Sequence, residues 1–168
     1  MLGGYKMNVF QKITPNRSAI ALKLIENENI IKLLYYLKDD KAISEIPMPN
    51  DVFDDVYRKK IFKRTNVEGL VDIEDCFIML SFPVITPYKN SSTYSTIKLI
   101  FNIMCHKKVI DTYEGDRIDA IVSEIFDMYN ESTEFGFKLQ TPIVKELSHK
   151  DYYISSVEFD VTEFTQNR

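Results

Sequence analysis

The hexapeptide Asp111-Thr112-Tyr113-Glu114-Gly115-Asp116 holds three carboxylates within one short turn. Hard divalent cations take oxygen ligands, so this is the place in the chain where metal chemistry is most natural. It matches a calcium loop poorly, because neither the glycine spacing nor a closing glutamate fits. The same residues also read as a turn followed by a helix N-cap at Asp116, where orphan amides and the helix dipole favour acids. A metal-dependent nuclease would add a lysine beside such acids. Lys138 and Lys145 are available downstream, but nothing in their spacing fixes them there.

Softer ligands are few: Cys76, Cys105, His106 and His149. They show no CxxC, HxxxH or HExxH spacing. Cys105 and His106 are neighbours on a strand-like run and point to opposite faces. Each cysteine lies within an apolar run, where a free thiol behaves as a small hydrophobe, and the low cysteine count suits a reducing compartment. No GxSxG supplies a nucleophile. Gly69, Gly115 and Gly136 are isolated, so no glycine-rich loop cradles a phosphate. The chain is expected to carry no catalytic residue, no metal and no cofactor.

The elements that would position these residues begin with helical spacing. Asn16-Arg17-Ser18 reads as a cap for SAIALKLIE, and NIIKLLYYLKDD resumes the apolar period after Asn27 to Asn29. Pro47 and Pro49 stop the chain, and Asn50 can cap DVFDDVYRKKIF, acidic first and basic last as the dipole prefers. A strand follows through Cys76 to Phe82, then the polar loop PYKNSSTYS as a hairpin tip. The second arm places Ile97, Leu99, Phe101, Ile103 and Cys105 on an apolar face. Its mixed face carries Lys98, Ile100, Asn102, Met104 and His106. Asp116 caps RIDAIVSEIFDMYN, whose stripe is Ile118, Ile121, Val122, Ile125 and Tyr129, with Arg117 the lone base on the remaining surface. Two strands close the chain. Pro142 disturbs FKLQTPIVKEL and marks it as an edge or a bulge. In YYISSVEFDVTEF, Tyr153, Val157, Phe159 and Val161 oppose Glu158 and Asp160.

This order predicts an α+β fold: an antiparallel sheet of about four strands with a long β-hairpin, backed by helices, plus an N-terminal helical segment. One domain over residues 1–168 is expected, mainly helical over 1–66 and α+β over 70–165. The 45% apolar content supports a proper core. No run of ~18 uncharged apolar residues could span a membrane, and the first residues have no apolar stretch of signal-peptide length. The protein is thus expected in a cytoplasm or in a particle assembled there.

Net charge is −4, but unevenly spread. Residues 1–67 carry twelve Lys/Arg against eight Asp/Glu, and residues 68–168 carry nine against seventeen. The one dense basic run, Arg58-Lys59-Lys60 with Lys63 and Arg64, reads as a solvated helix end or as a docking face for an acidic partner. Sequence-reading of DNA would need more clustered cations than this.

One resemblance covers residues 70 to 165. A proline-bearing hairpin tip leads to the long strand YSTIKLIFNIMCHKK. Next come the polar link and helix of VIDTYEGDRIDAIVSEIFDMYN, then the final strand SSVEFDVTEF. This layout is similar to the tail terminator and related neck (head–tail joining) proteins of long-tailed bacteriophages, which back a twisted antiparallel sheet with a helix and assemble into rings. The resemblance implies a structural virion protein that is not an enzyme. A homo-oligomeric ring, expected as a hexamer, would end the tail tube and join it to the head connector, with no membrane. Its location would be the virion neck, after assembly in the host cytoplasm, and DNA would pass without sequence-specific binding. The piece containing PMPNDVFDDVYRKKIF is longer than the minimal family needs, which leaves a head-completion or connector protein as an alternative; a small metal-dependent nucleic-acid-processing enzyme and an intracellular adaptor or chaperone-like binding module are the others. For subunit contact the resemblance singles out the hairpin tip, Pro87, Tyr88, Lys89 and Asn90 with Tyr94. The basic cluster is a second docking candidate. Asp119, Glu124, Asp127 and Glu131 are either channel-facing acids that let DNA slide or ordinary helix surface.

Overall fold

Leu99, Phe101, Ile103 and Cys105 alternate along one strand and are all fully buried, which fixes the centre of the structure. The computed structural model describes residues 9–38, 40–64, 73–82, 85–87, 95–135 and 138–162. Its helices are α1 (Val9–Leu24), α2 (Glu28–Tyr35), a π turn Phe53–Tyr57 continuing into Arg58–Lys60 (together α3), and α4 (Arg117–Tyr129). Its strands are β1 (Ile61–Phe62), β2 (Cys76–Ser81), β3 (Ile85–Pro87), β4 (Ser95–His106), β5 (Asp111–Thr112), β6 (Gly115–Asp116), β7 (Lys138–His149) and β8 (Tyr152–Thr162). The class is α+β, as expected.

The sheet has six strands in the order β1-β2-β4-β8-β7, with β3 also paired to β4. It is larger than the four strands expected, and it is mixed, because β1 runs parallel to β2. Ile61 and Phe62 were read as a helix end; instead Ile61 turns into the main core at 4% exposure and begins a strand. The expected hairpin is present as β2 and β3 against β4. β2 reads CFIML without a polar residue because both of its faces are covered.

One face of the sheet carries the helices. Ile20, Ala21 and Leu24 of α1, the apolar residues of α2, and Ile118, Ile121, Ile125 and Tyr129 of α4 share one core with alternate residues of β2, β4 and β8. The helical first third and the strands therefore have a common interior. Phe101 lies 4.7 Å from the Tyr129 ring and 6.1 Å from Phe159. Burying such rings contributes about 2 kcal/mol each, with aromatic pairing adding ~1 kcal/mol. The Tyr129 hydroxyl donates to Ile20 O at 2.8 Å, tying α4 to α1, and burial pushes its pKa up. The other face has a small cluster of Phe77, Met79, Met104 and Tyr152, with Phe62 and Ile154 beside it. The apolar and mixed faces of β4 are thus as the alternation predicted, over its described side chains.

Two boundaries differ from expectation. α1 starts well before Asn16, so Asn16 to Ser18 lie within the helix and cap nothing. Val9, Ile13, Ile20 and Leu24 keep helical spacing across Pro15, and that period outweighs the local cap signal. Asp51, rather than Asn50, caps the start of α3, accepting from Asp54 N at 2.8 Å. In β8, Tyr153 shares a face with Val157 but is 44% exposed, because it lies beyond the end of the helix layer.

Candidate functional site

The acidic hexapeptide forms a small hairpin. Asp111 pairs with Asp116, and Thr112 with Gly115, whose φ of +136° suits a glycine. Asp116 then accepts from Ile118 N at 2.7 Å and Asp119 N at 3.3 Å as the N-cap of α4, while Glu114 accepts from Ile43 N at 3.2 Å. Asp116 thus serves as a helix cap and Glu114 as an acceptor for a distant backbone amide. Among the described residues no three His, Cys, Asp or Glu side chains converge as metal ligands would, and no helix there is long and apolar enough to cross a membrane.

The basic cluster is partly neutralised from within. Arg58 pairs with Asp54 at 2.6 Å and Lys59 with Asp55 at 2.7 Å, both one turn back on α3. Lys60 is more committed: its ammonium binds Asp75 at 2.5 Å and Leu34 O at 3.0 Å. Lys63 lies 5.4 Å over the Tyr57 ring. Arg64 is exposed; burial, and after it the charge of Arg64, lowers the pKa of Arg17. The cluster's outward positive charge thus concentrates at Lys63 and Arg64.

The four acids do not form one open row. Glu124 accepts from the amides of Asn27 and Asn29, each at 2.7 Å, and so holds α4 to the turn between α1 and α2. Glu131 pairs with Lys138 across the entry to β7. Asp119 and Asp127 are exposed on α4. Of the hairpin-tip residues, Pro87 ends β3, while Tyr88, Lys89, Asn90 and Tyr94 lie outside the described residues.

Arg117 is the residue that sequence reasoning placed wrongly. It is 2% exposed, not on the surface. Its guanidinium donates to Val109 O at 2.7 Å, Tyr36 O at 3.1 Å, Leu37 O at 3.1 Å and Leu33 O. The last carbonyls of α2 have no partner within their own helix. Arg117 and Lys60 supply those donors, and both charges sit where the α2 dipole favours them.

The surface best suited to contact is β7. It is twelve residues long and, among the described strands, pairs with β8 alone; Leu139 N donates to Ser132 O at 3.0 Å, and beyond that point its other side is a sheet edge that no described strand covers. Pro142 marks it, as the sequence indicated: the register shifts by one residue between Gln140 and Ile143. That bulge keeps Leu139 and Val144 on the helix-bearing face although they are five residues apart. Ile143, Val144 and Leu147 are 46%, 44% and 64% exposed. A groove of about 250 Å³ lies alongside, lined in part by Asp119, Glu146, Leu147 and Tyr153. Behind it, Glu158 is 7% exposed and bridges Lys145 at 2.5 Å and Lys98 at 3.0 Å across three strands. The two lysines, Lys145 first, hold its carboxyl below the usual range against the opposing effect of burial. This triad stiffens the sheet beside the open edge. The signal in the sequence for this exposed stretch was three apolar residues, Ile143, Val144 and Leu147, after an edge-marking proline.

Fold and surface together define an α+β protein with helices on one side of its sheet and, among the described strands, a long edge strand that carries exposed apolar side chains. A family model, YomW, matches residues 27–161, from the α2 cap to the end of the β8 core, and the chain belongs to the YomW family. Among curated proteins no sequence matches the chain.

Proposed function

We propose that the chain is a structural assembly subunit whose copies join through β7, forming a ring in the neck of a long-tailed phage. There it ends the tail tube and meets the head connector. The observation that carries the assembly reading is the open edge of β7 with Ile143, Val144 and Leu147 exposed along it. Exposed edges template further strand pairing; Pro142 and its bulge blunt the start of β7, which leaves residues 143–149 as the stretch open to a second copy. Edge-to-edge or edge-to-face contact between unlike surfaces generates a closed ring when its rotation closes. The neck assignment rests on the layout of residues 70 to 165. The acidic C-terminal half and the limited outward charge of the basic cluster suit a subunit past which DNA moves without being held.

Sedimentation and negative-stain electron microscopy of the purified protein, alone and mixed with phage tail tubes, test this reading. Rings or tube-end caps are expected for the wild type. An Ile143→Lys, Leu147→Lys double variant should stay monomeric with an unchanged melting temperature, since both side chains are already exposed. A wild type that remains monomeric at high concentration and ignores tube ends would overturn the proposal.

A further inference from the structure

We propose that Cys76 and Cys105 form a redox site, a cross-strand dithiol that closes to a disulfide when it meets a low-molecular-weight disulfide such as oxidised glutathione. The two residues are direct partners in the β2–β4 register, and both side chains face the helix-bearing core. His106 N donates to Asp75 O at 3.0 Å, so the adjacent pair, Asp75 with His106, is a hydrogen-bonded one. Antiparallel pairs alternate, which makes Cys76–Cys105 a non-hydrogen-bonded pair. Cα atoms at such pairs approach to about 4.5 Å with their side chains closer still. That separation lies within the roughly 4.4–6.8 Å a disulfide spans.

The thiol of Cys105 opposite, followed by burial, pushes the Cys76 thiol well up. Both cysteines are free and fully buried, and Cys105 Sγ also sits 3.7 Å from Val109 O. Thiolate therefore forms when the edge opens, and among the described strands β2 is flanked on its outer side by the two-residue β1. One cysteine thiolate then attacks a glutathione disulfide sulfur and expels one glutathione thiolate. The second cysteine thiolate attacks the protein-side sulfur of that mixed disulfide and expels the other. Two protein thiols are oxidised and one disulfide is reduced to two thiols, which take up the two protons released. The bridge closes a loop through residues 77–104 and pins β2 to β4.

Burial slows access but does not alter the equilibrium, so the test starts from the unfolded chain. Reduced protein is unfolded, oxidised by glutathione disulfide, refolded by dilution, and compared with a sample refolded under reductant. Peptide mapping should join Cys76 to Cys105 within one chain. The oxidised form should melt higher by about 5 °C or more. Cys105→Ala should show no oxidant-dependent shift; should that variant not fold, the two wild-type forms still decide the matter. An oxidised form that fails to refold, melts at or below the reduced one, or links different chains would refute the proposal. None of these outcomes depends on ring assembly.

Discussion

Arg117 shows how much one side chain can hold. Its guanidinium closes the C-terminus of α2, reaches Val109 O, and opens α4, so three segments meet on one planar group. Replacing it with Met leaves several buried carbonyls without donors. Unsatisfied buried acceptors and a lost charge-assisted network each cost kilocalories. Arg117→Met should lower stability by about 3 kcal/mol in urea unfolding. Arg117→Lys should recover only part of this, because an ammonium cannot span the same fork of acceptors. A Met variant within ~0.5 kcal/mol of wild type would mean that water replaces the guanidinium without cost. Asp116, next in the chain, was legible as a cap because its partners are two and three residues away. The partners of Arg117 lie as many as 84 residues away, and no local signal announced them.

At the scale of elements, α4 separates two acids that the sequence treated alike. Glu124 is bound by two asparagine amides, from the cap and the first turn of α2, whereas Asp127 is exposed on the same helix. Glu124→Ala should cost about 1–2 kcal/mol by removing both bonds. Asp127→Ala should stay within ~0.5 kcal/mol, as surface substitutions usually do. Equal effects in denaturant titrations would show that the Glu124 link does not hold α4 to the α1–α2 turn. β7 gives the complementary lesson. Its edge position and irregularity were readable from Pro142, a constraint internal to the strand. Its exposed length was not, since exposure depends on where α4 ends over the sheet.

For the whole molecule, acid sensitivity follows from the Lys98–Glu158–Lys145 triad that spans β4, β8 and β7. The folded-state pKa of Glu158 is lowered, so its contribution is fully present above the unfolded value, about 4.3. That contribution is lost as pH falls through the folded value. Glu158→Gln should therefore melt below wild type at neutral pH, and the gap should close as pH drops below ~4. A gap constant with pH would show that the carboxylate charge has no part in holding the three strands. The same strands border the β7 edge, so the surface proposed for assembly is part of the sheet that the triad holds.

Local constraints are what the sequence determined by itself: the α+β class, the two faces of β4, the cap and stripe of α4, and the proline-marked bulge of β7. Each depends on residues within a few positions, where periodicity, capping and the missing proline amide act directly. The parallel β1, the buried Arg117, the pairing of Cys76 with Cys105 and the commitment of Glu124 were decided only by the tertiary structure. Their partners are brought together from distant parts of the chain by packing onto a common core. A buried charge or thiol takes its role from the neighbours that packing supplies, and a linear pattern carries no record of them.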